Sequence, residues 1–104
     1  MKDIKNSIID ILKECYDPEL PIDLWNLGLI YDLHIYEQPK ERFGVDITMS
    51  LTTPGCSMGQ YMIDDIKNKI TELKYMDTIN VEITFDPPWS PEMMTEEGKQ
   101  KLGL

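Results

Sequence analysis

Cys56 follows a Pro54-Gly55 turn signal and opens a run with helical spacing, a setting in which a thiol can do chemistry. Unpaired N–H groups and the positive end of a helix dipole at such a position favour the thiolate. The competing reading is a small buried hydrophobe near a helix start, against which the polar turn weighs. Cys15 instead falls on the apolar stripe of an N-terminal helical pattern and reads as core. A cysteine enzyme also needs a base within hydrogen-bond reach. The single histidine, His34, lies on the polar side of a strand pattern, roughly 16 Å from Cys56 at strand rise if Leu51 or Thr52 pairs near Leu29. A Cys-His dyad is therefore not expected, and His34 reads as a solvated strand residue. With no C-x-x-C, no H-x-x-x-H and only 2 cysteines, a four-thiolate cluster within one chain is excluded by ligand count. No cofactor is expected to be held stably by the monomer. Sharing of a metal or cluster between the Cys56 residues of a homodimer, or between Cys56 and a carboxylate or a partner's thiols, stays open.

Two further groups accompany the thiol. Asp17 and Glu19 stand in D-P-E, in a loop stiffened by Pro18 and Pro21. A solvated loop is the default there, but rigidity can serve a site. The segment Asp86 to Ser90 combines two prolines with Trp89, whose area fits either a partner-docking anchor or packing under the sheet edge.

The elements that must position these residues follow from periodicity. Ile4, Ile8, Ile11, Leu12 and Cys15 predict an amphipathic helix over 2–16, ended by Pro18. An irregular stretch, 17–28, comes next. Leu29, Tyr31, Leu33 and Ile35 alternate with polar neighbours as a strand over 29–36, and Val45, Ile47, Met49 and Leu51 do so over 45–51. Glu37 to Gly44, with Pro39, reads as the hairpin loop between them. Met62, Ile66, Ile70 and Leu73 mark a second helix from about Ser57 to Lys74, and Ile79, Val81, Ile83 and Phe85 a third strand. Ser90 as N-cap with Pro91 at the first helical position predicts a terminal helix to about Lys101, weakened by Gly98. The economical assembly is a single α+β domain over 1–104, in the order α-β-β-α-β-α. Its small, mainly antiparallel three-stranded sheet carries the two longer helices on one face.

The chain is long enough, at 104 residues, to bury a core without disulfide or metal staples. Its 19 acidic against 10 basic residues leave a charge of -9 with no basic patch, which argues against nucleic acid. No apolar run approaches a membrane span and no signal-peptide block opens the chain, so a cytoplasmic protein without a membrane partner is expected. In that compartment a Cys15-Cys56 disulfide is not expected.

Three segments together resemble a known family: D-P-E-L-P-I-D-L-W-N-L-G-L-I-Y at 17–31, L-T-T-P-G-C at 51–56 and D-P-P-W-S-P-E-M-M at 86–94. In order and spacing they are similar to the metal-sulfur cluster assembly family of the SufT and PaaD-like type, over nearly the whole chain. The resemblance implies a compact α+β domain that serves iron-sulfur protein maturation. It also implies a functional thiol at Cys56, an acidic loop at Asp17 and Glu19, a turn glycine at Gly28 and supporting threonines at Thr52 and Thr53. Where such relatives often have proline after the cysteine, this chain has Ser57, which can donate a hydrogen bond. The expected role is a carrier or targeting adaptor that does not turn over substrate. It would contact iron or a cluster transiently through Cys56 and bind assembly proteins and client apo-proteins around Trp89. The alternatives are an accessory scaffold for a PaaD-like multicomponent oxygenase and a thiol-dependent enzyme.

Overall fold

The computed structural model describes residues 4–17, 22–52 and 59–103. Along the chain lie α1 (Ile4–Leu12), β1 (Ile30–Gln38), β2 (Arg42–Met49), α2 (Gly59–Thr71), β3 (Met76–Ile83) and α3 (Glu96–Leu102), with one 3-10 turn at Pro91–Met93. The expected order and α+β class hold. The strands form one sheet in the order β1-β2-β3.

The sheet is mixed, where a mainly antiparallel one was expected: β1 and β2 form an antiparallel hairpin, but β2 and β3 run parallel. The connection explains the difference. Helix α2, 13 residues long, spans about 20 Å and returns the chain to the end where the 8-residue β2 began. A strand that starts there and pairs with β2 runs in β2's direction, as in any βαβ crossover.

The hairpin is tighter than the expected 37–44 loop, because the strands extend until Gln38 pairs with Arg42. Lys40 and Glu41 make the turn with φ of 64° and 59°, a left-handed conformation that carries strain for residues with a Cβ. Gly44 belongs to β2 and not to the loop. Tyr36 pairs opposite it, and a Cβ on Gly44 would come within 2.4 Å of the Tyr36 ring. The ring covers the gap left by the missing side chain and stacks on His34 at 5.8 Å between centroids.

Val45, Ile47 and Met49 of β2 meet Ile8 and Leu12 of α1 and Met62, Ile66 and Ile70 of α2 in one buried cluster. Ile22, Leu24 and Leu27 join it with no exposed surface, as does Leu29, expected to open the first strand but lying just ahead of β1, so the irregular stretch supplies a large part of the core. Its backbone is satisfied locally: Leu24 N–H donates to the Cys15 carbonyl at 2.8 Å, and Tyr16 and Asp23 form an antiparallel bridge. The opposite face of the sheet, with Asp32, His34, Asp46, Asn80 and Glu82, is exposed.

The C-terminal helix departs from the expected 90–101. Ser90 makes no side-chain cap, and the turn it opens ends at Met94, which is extended and buried. Thr95 caps α3 instead, its Oγ1 accepting from Gly98 N–H at 3.0 Å. No helix among the described residues is long and apolar enough to cross a membrane.

Candidate functional site

Of the expected site residues, Asp17, Thr52 and Trp89 are described by the structure, and Glu19, Thr53 and Cys56 lie outside the described residues. Asp17 departs from the solvated-loop default. It is 6% exposed, and its Oδ2 accepts from Thr52 Oγ1 at 3.3 Å. Two of the three motifs are thereby joined: the carboxylate following α1 reaches the chain that leaves β2. Thr52 is half-buried and follows the buried Leu51. On the other side of the 53–58 segment, Gly59 opens α2 packed so closely that a Cβ would lie 3.3 Å from Leu51 and 3.4 Å from Ile83. Both flanks of the segment that carries Cys56 are fixed by packing.

The third motif is fastened to the first. Trp89 is half-buried, and its indole N–H donates to the Leu27 carbonyl at 2.6 Å. Tyr31, the extra residue of a bulge where β1 meets β2, donates from its hydroxyl to the Pro87 carbonyl at 2.9 Å. Gly28, with φ of 76°, lies so close to Met93 that a Cβ would sit 2.1 Å from its carbonyl oxygen. Only glycine accepts both the left-handed backbone and the close approach. The turn role expected of Gly28 therefore has a steric cause.

Asp23 and Asn26, within the first motif but not singled out in the sequence, form a buried pair. Asp23 accepts from the Asn26 backbone N–H at 3.0 Å and from its side-chain amide at 2.8 Å. The D-x-x-N spacing is the signal that could have found them, since a short side-chain acceptor three residues ahead of an amide closes such turns.

Cys15 is in the core as expected, although α1 ends at Leu12, short of the expected 16, and leaves Cys15 beyond the helix. It is 1% exposed and its Sγ donates to the Ile11 carbonyl at 3.4 Å. Burial, reinforced by the neighbouring Asp65 carboxylate, pushes its thiol up to about 12. His34 is exposed and pairs opposite Asp46, in the middle of β2 and away from Thr52. No cluster of three or more His, Cys, Asp or Glu among the described residues could hold a metal ion.

Residues 5–83 match the family model described as iron-sulfur cluster assembly protein. The chain belongs to that family. Among relatives, the chain is 34% identical to an Fe-S protein maturation auxiliary factor of Porphyromonas gingivalis, over 96% of this chain and 91% of the relative. It is 38% identical to the maturation auxiliary factor SufT of Staphylococcus aureus, over 85% of this chain and 96% of the relative. Its fold superposes on a domain of unknown function from Bacillus anthracis with a TM-score of 0.81 and 34% identity, covering 95% and 91% of the two chains. The fold and family expected from the three motifs are those found.

Proposed function

We propose that this protein is an iron-sulfur maturation auxiliary factor that acts without turnover, carrying or targeting iron-sulfur cargo through Cys56. The observation that carries the reading is the hydrogen bond from Thr52 to the buried Asp17 carboxylate, beside the segment that holds Cys56. A buried carboxylate joined to the chain four residues before a thiol is suited to fixing where that thiol is presented. The names of the relatives at 34% and 38% identity supply the cargo and client class. Iron or a cluster is then the substrate, ligated transiently by the Cys56 thiolate and completed by thiols of a partner or of a second copy, because Cys15 is buried and holds its proton. The partners are assembly proteins and client apo-proteins, with the exposed faces of the Trp89 segment as one contact region.

Anaerobic affinity capture with mass spectrometry tests this. Wild-type protein should recover assembly proteins or apo-clients, and Cys56→Ala should lose them. Equal recovery by both would contradict the role of the thiol. Turnover that survives rigorous purification and vanishes in Cys56→Ala would replace the reading with a thiol-dependent enzyme.

A further inference from the structure

Asn26 stands at the centre of a connection running from the C-terminal segment to Thr52. On one side, Thr95 N–H donates to the Asn26 carbonyl at 3.0 Å and Thr95 Oγ1 donates to Asn26 Oδ1 at 2.6 Å. Its side-chain amide also reaches Glu97 at 3.3 Å. Gly98 lies so close that a Cβ would come within 2.5 Å of the Asn26 carbonyl oxygen. On the other side, Asn26 donates twice to Asp23, and Asp23 is paired across the chain with Tyr16. Asp17, next to Tyr16, donates its own N–H to the Ile22 carbonyl at 3.4 Å and receives Thr52 on its carboxylate. Asp23 and Asn26 are 2% and 4% exposed, so water does not compete for these bonds.

We infer that Asn26 and Thr95 are positioning residues: the C-terminal segment, through Asn26 and Asp23, sets Asp17 against Thr52 and so the presentation of the Cys56 segment. The family match ends at residue 83, and beyond it Thr95 and Gly98 pack directly against Asn26 of the first motif. Thr95 divides its hydroxyl between two tasks, capping α3 and bonding Asn26. That arrangement couples α3 to the turn, since α3 cannot shift without breaking the Asn26 contact. The inference rests on the reading of Cys56 as the functional thiol only for its consequence; the link to Thr52 stands without it.

The test uses the full chain with Asn26→Asp, Thr95→Val and Thr95→Ser. Asn26→Asp keeps the acceptor for Thr95 but sets a carboxylate against Asp23, so the side-chain bond of the inner link is lost together with the longer contact to Glu97. Two readouts are followed on samples with native circular dichroism: the Thr52 amide resonance in a proton-nitrogen correlation spectrum, and the alkylation rate of Cys56 with pH. Asn26→Asp and Thr95→Val should both move the Thr52 resonance and change the Cys56 rate about threefold or more, and Thr95→Ser should return both to near wild type. Should either variant fail to fold, Gly98→Ala, which displaces the segment from Asn26 without removing a polar group, gives the same readouts. A Thr52 resonance unchanged in the folded variants overturns the inference. A moved Thr52 with an unchanged Cys56 rate overturns the coupling to Cys56, while the reading of Cys56 as the functional thiol is decided separately by the capture experiment.

Discussion

The burial of Cys15 yields a pH dependence. Its folded thiol is pushed up to about 12 from an ordinary 9.0, so the folded state holds the proton that the unfolded chain gives up. Stability from this group is complete below pH 9 and is lost as pH rises towards 12, with a slope approaching about 1.4 kcal/mol per pH unit. Urea unfolding from pH 8 to 11 should show that slope in wild type and its loss in Cys15→Ala; parallel curves would contradict the buried thiol. Alkylation of native protein should label Cys56 before the buried Cys15, and faster labelling of Cys15 would contradict the assignment of the two thiols. Asp17→Asn should cost about 1–3 kcal/mol, because it weakens a buried charged acceptor, and Thr52→Val should lose part of the same energy. A denaturation midpoint unchanged in both would show that the bond does not matter to the fold. The core role of Cys15 was legible from helical spacing alone. The burial of Asp17 was not, because its partner Thr52 is 35 residues away and sequence pattern does not report such pairs.

At the scale of elements, two predictions oppose simple propensity to packing. Gly98 lies inside α3, where alanine would be favoured by about 1 kcal/mol. The Asn26 carbonyl would stand 2.5 Å from the new Cβ, so Gly98→Ala should lower the melting temperature; a rise would show that α3 is loosely held. The β1-β2 turn gives the opposite sign. Lys40 and Glu41 both have positive φ, and Lys40→Asn with Glu41→Gly should raise stability by about 0.5–1 kcal/mol, read from the urea midpoint. Strand positions were legible because the alternation of Leu33 and Ile35 with Asp32 and His34 marks a half-buried strand. The direction of β3 was not, since it depends on how far α2 carries the chain back. Ser90 with Pro91 imitated a helix start, and the choice of Thr95 was made by the burial of Met94 and the contact of Met93 with Gly28.

The whole molecule is a mixed sheet with helices on one face, closed at one end by the first and third motifs. That closure was hidden from periodicity. The three fully buried side chains Ile22, Leu24 and Leu27 lie in a stretch with neither helical nor strand spacing, and only tertiary contacts make it core. With one cysteine buried of the 2 present, anaerobic reconstitution should leave the monomer colourless. Any cluster should appear together with a dimer and depend on Cys56; a coloured species that sediments as a monomer would contradict the ligand count. The role proposed for Cys56 in iron-sulfur maturation meets its sharpest test in the cell. The most direct measurement is the activity of iron-sulfur enzymes per unit of their polypeptide, in a strain lacking the protein and in the same strain carrying wild type, Cys56→Ala or His34→Ala, under iron-replete and iron-limited growth. Activity per polypeptide should fall in the deletion, return with wild type and His34→Ala, and stay low with Cys56→Ala. Full activity in the deletion under both conditions, or full rescue by Cys56→Ala, would contradict the account.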